Sequence, residues 1–243
     1  MDRVLTENGP SKISVQGIRE VTTAATTIVG SVKNIGFGKE IVYCQLASFS
    51  SANTITKGML VRGKACVAHH QNVTAAATAS VGDKFLSLTI GATSCAKDFY
   101  KNGILFMNTS ANSYMIKSND SAAASGTLNL YLKDGLEVAV AAQTCVAIPN
   151  PYYGVTTKED CAVTTAIPAG VTLASAVYTG GQYCYLGKKG IWPVKLSGTL
   201  IVGNDVTLGS AAGTVMPRAT TETAIGRVVA TGASTFGLVD FNL

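Results

Sequence analysis

The stretch that decides the fold is Gly198–Leu243, GTLIVGNDVTLGSAAGTVMPRATTETAIGRVVATGASTFGLVDFNL. It divides into short runs of β-branched and apolar residues, each closed by a turn former. Thr199–Val202 ends at Gly203-Asn204, Asp205–Leu208 at Gly209-Ser210, and Thr214–Met216 at Pro217. Ile225–Ala230 closes on Thr231-Gly232, and Phe236–Phe241 alternates into the last residues. Runs of this length with Gly, Asn and Pro between them predict strands joined by tight turns. Val206, Leu208, Ile225, Val228, Leu238 and Phe241 are its expected core. The stretch has no His and no Cys, and its charges are single and scattered, so nothing in it points to a reaction centre.

The same grammar extends upstream. Glu40–Leu46 and Met59–Arg62 with Ala65–Val67 read as strands around a Ser/Asn loop. Phe85–Ile90, Ile104–Asn108, Ser113–Ser118 and Gly126–Leu132 follow, the last with Leu128, Leu130 and Leu132 on one face. Asn102-Gly103 is a tight-turn dipeptide. Gly180-Gly181 reads as a break, after which Gln182–Gly187 alternates and leads past Lys188-Lys189-Gly190 to Ile191–Val194, with the single Trp192, as a strand that joins the C-terminal unit. Ile55–Val61 and Val202–Leu208 echo one another, each with a turn residue ahead of an apolar strand.

The expected fold class is therefore all-β, as two or more small β-barrel or β-sandwich units preceded by an extended N-terminal arm. The expected divisions are residues 1–36 (arm), 37–150 (a larger β domain) and 151–243 (a small C-terminal barrel). The arm is Thr-, Ser- and Val-rich, which argues against a helix. Val4, Leu5, Ile13, Val15, Ile18, Val21, Ile28 and Val29 make it too apolar for a solvated tail, so these are the candidate interface residues, expected to order against a partner.

Composition narrows the function classes. Only 14% of the 243 residues are charged, against about a quarter in typical soluble domains. A surface of small neutral polar groups suits a protein covered by neighbours, and equally a β-rich protein as such. The net charge of +5 is mild, and Lys188-Lys189 is the only adjacent basic pair, so no nucleic-acid partner is expected. No segment has the apolar length of a membrane-spanning helix. The opening residues lack an apolar signal region, and the six cysteines include no C-x-x-C spacing. The expectation is synthesis in a reducing cytoplasm with free thiols and neither metal nor cofactor.

Catalytic patterns are weak. His69-His70 are neighbours, which on a strand point to opposite faces. Glu159-Asp160 reads as a surface turn, and Gly36-Phe37-Gly38-Lys39 is too short for a phosphate loop. Cys66 has no nucleophile motif around it.

The strand, then Gly-Asn-Asp-Val-Thr-Leu-Gly, then Ile-Gly-Arg-Val-Val, then a terminal strand resembles the small β-barrel of decoration (cement) proteins of tailed bacteriophage capsids. The order around Tyr114-Met115-Ile116-Lys117-Ser118-Asn119, Thr127–Leu132 and Asp134-Gly135-Leu136 is similar to the larger β domain of that family. Through loose motifs the resemblance touches most of residues 39–243. It implies a non-enzymatic virion protein on the capsid surface, partnered by the major capsid protein and assembled as a homo-oligomer, a trimer first. A tail, fibre or receptor-binding virion protein is the alternative; a β-fold carbohydrate hydrolase is a third reading, from a different class.

Overall fold

The computed structural model describes residues 16–47, 53–108, 110–141, 143–156, 167–178, 181–209, 211, 213–231 and 235–243. Among the described residues eighteen strands follow one another. The first ten are β1 (Val32–Asn34), β2 (Glu40–Leu46), β3 (Asn53–Ile55), β4 (Leu60–Gly63), β5 (Val73–Ala75), β6 (Phe85–Thr89), β7 (Ile104–Met107), β8 (Ser113–Asn119), β9 (Thr127–Leu132) and β10 (Thr144–Ile148). Then come β11 (Tyr153–Val155), β12 (Ile167–Thr172), β13 (Ala176–Tyr178), β14 (Tyr183–Lys195), β15 (Asp205–Leu208), β16 (Val215–Pro217), β17 (Gly226–Thr231) and β18 (Phe236–Asn242). Among the described residues the one helical turn is a 3-10 turn at Ala68–His70, so the fold is all-β.

The chain forms two compact units, and they are not the expected ones. Residues 65–150 form one; residues 1–64 and 151–243 form the other. The expected division at 36/37 falls inside the second of these, in the turn of the hairpin that pairs β1 with β2, and β2 in turn pairs with β14. Ala65–Val67, expected to extend the second strand, lies past the end of β4 and carries the chain into the other unit.

Residues 65–150 hold a closed six-stranded antiparallel barrel in the order β10-β5-β6-β9-β8-β7. Strict alternation supplies its interior. Leu86 and Leu88 of β6, Leu128, Leu130 and Leu132 of β9, and Leu105 and Met107 of β7 are all buried. Phe85, Tyr131, Ile104 and Met115, at the intervening positions, face outward.

The other unit is built on a ten-stranded sheet whose path is β1-β2-β14-β18-β17-β15-β16. β2 and β14 are its middle, and cores lie on both of their faces. Ile41, Tyr43 and Tyr185 enter one core; Val42, Cys44, Leu46, Cys184 and Leu186 enter the other. That is why EIVYCQL is nearly continuous in apolar residues instead of alternating.

β14 runs through Lys188-Lys189-Gly190 as one strand of 13 residues with a register shift between Gly187 and Lys189. The extra residue inverts parity. Tyr185 faces the first core before the bulge, and Trp192 and Val194 face it after.

Two further expectations are corrected. Thr199–Val202 is not a strand: Asn204 N–H closes a turn onto Ile201 O, leaving Leu200 buried while Ile201 and Val202 are exposed. Leu238 lies outward, because β18 buries Gly237, Val239 and Phe241. Two residues three apart cannot share a face of a regular strand, so Phe241 in the core puts Leu238 outside.

Candidate interaction surface

The candidate arm residues divide. Val4, Leu5, Ile13 and Val15 lie outside the described residues. Ile18 and Val21 pack partly buried against the unit's own two cores, and Val29 is buried in the first. Ile28 is exposed.

The segment from Gln16 to Ser31 is held by its own chain. Thr22 bridges Tyr183 by a pair of backbone hydrogen bonds. Thr26 N–H donates to the Tyr43 hydroxyl at 2.9 Å, and the Gln16 amide donates to Tyr183 O at 3.0 Å. Tyr43 stacks on Tyr183 at 5.9 Å and packs against Tyr185 at 5.0 Å. This tyrosine cluster gives residues 16–31 a seat within their own unit.

The groups capable of chemistry are occupied structurally. His69 and His70 sit on the 3-10 turn rather than a strand. The buried His70 ring pairs through Nδ1 with the Tyr100 hydroxyl and through Nε2 with Thr93 O. Burial raises the Tyr100 hydroxyl far above its ordinary range. Asn119, also buried, accepts from the Tyr100 N–H and donates to Ala96 O and Asp120 O. Asp205 accepts from Arg218 and Arg227 at the rim of an open surface cleft of about 240 Å³. Cys44, Cys95, Cys145 and Cys184 are buried free thiols, and Cys66 is half-buried. Among the described residues no group of three His, Cys, Asp or Glu could hold a metal, and no helix is long and apolar enough to cross a membrane. Glu159-Asp160 and Cys161 lie outside the described residues.

What the surface does offer is apolar area. On the sheet, β14, β17 and β18 lie side by side, and their outward positions carry Ile191, Pro193, Val229, Phe236 and Leu238 beside Lys195, Arg227 and Asp240. Ile191 and Leu238 are each 39% exposed, Val229 41% and Phe236 43%. Pro193 stands directly opposite Leu238, so these residues form a patch rather than isolated positions. Sequence reasoning missed this patch by placing Leu238 inside. Strict period-2 reading from Phe241 would have found it.

No family model, curated protein or solved structure matches the chain.

Proposed function

We propose that this chain is a virion structural protein that binds the outside of a bacteriophage capsid and stabilises contacts between capsomers, without enzymatic activity. The observation that carries the reading is the outward apolar patch of Ile191, Val229, Phe236 and Leu238 on a sheet whose other side is closed by the unit's own core. An apolar cluster on a sheet face, edged by Lys195, Arg227 and Asp240, is suited to cover by another protein. The low charge content and the resemblance of Gly198–Leu243 to capsid decoration proteins support the same reading.

The partner is the major capsid protein, and the protein acts as a homo-oligomer, taken as a trimer in line with the closed symmetry usual for such assemblies. Stabilisation is additive: each copy binds the assembled shell and not the dissociated subunits, so occupancy shifts the equilibrium toward the shell.

The test is to incubate the purified protein with shells lacking it, sediment the particles and count bound copies. Saturation at copies in proportion to the capsomers, with a raised shell melting temperature, is the expected result. Binding confined to one vertex or the tail would replace this reading with the tail or fibre one. Deleting residues 2–15 tests the arm's first part and leaves Val29, which belongs to the core, in place.

A further inference from the structure

Phe37 stands at the tip of the β1–β2 hairpin and is fully exposed, at 102% of its reference area. It has a φ of +51°, between Gly36 at +89° and Gly38 at +69°. That conformation disfavours any side chain with a Cβ, and an aromatic one buries nothing here in return. The turn's own geometry would be better served by Gly or Asn. The hairpin is nonetheless well fastened. Gly36 N–H donates to Asn34 Oδ1 at 2.8 Å, and Lys39 N–H donates to Gly36 O and Ile35 N–H to Lys39 O, each at 3.0 Å.

A collar of positive charge lies along this hairpin and on β14 beside it. Lys39 is two residues from Phe37, Lys33 stands opposite Ile41 on the same hairpin, and Lys189, beside Lys188, stands opposite Glu40. Aromatic rings support three of the ammonium groups. Lys33 Nζ donates to the Tyr185 hydroxyl, Lys39 Nζ lies 4.8 Å from the Trp192 ring centre, and Lys188 Nζ lies 5.9 Å from that of Tyr152. Among the described residues, none of these four lysines is ion-paired with a carboxylate, and Glu40 is the acid in their row.

We propose that the Phe37 hairpin is a docking knob that seats in an apolar socket bordered by carboxylates on the outer face of the capsid shell. The proposal rests on the reading of the chain as a capsid-binding protein. A single ring on a pinned turn fits a socket: it loses little freedom on docking, and a buried aromatic anchor is the usual centre of a protein interface. The lysine collar specifies an acidic rim and speeds encounter. A lipid surface would be better served by several apolar side chains on a deformable loop.

The test compares wild type, Phe37→Asn and Lys189→Glu on shells lacking the protein. Asn tolerates the left-handed conformation, so Phe37→Asn should melt no lower than wild type, which separates binding from folding. Shell affinity should fall about tenfold or more for Phe37→Asn, and wild-type binding should weaken with salt more steeply than that of Lys189→Glu. If wild type binds and Phe37→Asn binds equally well, the knob is overturned and the shell reading stands. If wild type does not bind shells, the shell reading falls and the knob with it. Phe37-dependent binding to phosphatidylserine vesicles, with shell binding unchanged, would assign the knob to a membrane and overturn the proposal.

Discussion

Cys44 Sγ lies 3.5 Å from Cys184 Sγ, across directly opposed positions of β2 and β14, with both side chains buried. Burial first, and then the Cys184 thiol beside it, hold the Cys44 thiol well above its ordinary pKa. The pair therefore behaves as core, a small apolar contact between the two middle strands.

The first prediction follows from those thiols. Burial also pushes Cys145 up to about 11. A thiol whose folded pKa is raised contributes stability that is fully present below its unfolded pKa of about 8.5, and loses it as pH rises through the folded value. Melting temperature should be flat with respect to these groups near neutrality and fall from about pH 9 toward 11. Cys145→Val should remove part of that slope. A thiol reagent at neutral pH should leave Cys44 and Cys184 unmodified in the native protein and reach all six cysteines in denaturant.

Trp192 packs over Gly187. A Cβ at Gly187 would meet the indole ring at 2.7 Å, and the indole N–H donates to Lys189 O at 2.9 Å. Gly187→Ala should displace the ring and cost about 1–3 kcal/mol. The protein has one tryptophan, so denaturation followed by fluorescence should show an earlier midpoint and a red-shifted native emission.

Tyr43→Phe removes the hydroxyl that accepts the Thr26 N–H. The loss should be about 0.5–1.5 kcal/mol. It should be local: hydrogen exchange should accelerate across residues 22–30 and leave the barrel of residues 65–150 unchanged.

Asn119 joins β8 to the Tyr100 backbone inside that barrel. Asn119→Ala strands the Tyr100 N–H in a buried setting, at a cost of about 1–3 kcal/mol. The expected result is faster exchange at Tyr100 and in its neighbours, with residues 183–195 of the other unit unaffected.

Local pattern was enough to place the strands. The alternation of Leu128, Leu130 and Leu132 located β9 and its inward face, and the nearly continuous apolar run of Glu40–Leu46 located β2. These could be read because a strand's period is a property of neighbouring residues. The positive-φ Asn102 before Gly103 is legible for the same reason.

Partner choice was not local. Cys44 and Cys184 are 140 residues apart, and nothing in either strand names the other. That pairing, together with β4–β12 and β3–β13, joins residues 1–64 and 151–243 into one unit, with 65–150 inserted between them in the sequence. The interface candidates were read from apolar content alone, which cannot say whether Val29 is covered by a partner or by its own chain; the tyrosine cluster under residues 16–31 decided that for Val29. The bulge beside Lys188 is the sharpest case. One extra residue turns Trp192 inward, and with Gly237, Val239 and Phe241 filling the core side of β18, Leu238 faces outward. The sequence by itself determined that strands would form and where most of them begin. Tertiary structure decided which strands meet and which faces are covered, because burial depends on what lies across the sheet and not on what lies next in the chain.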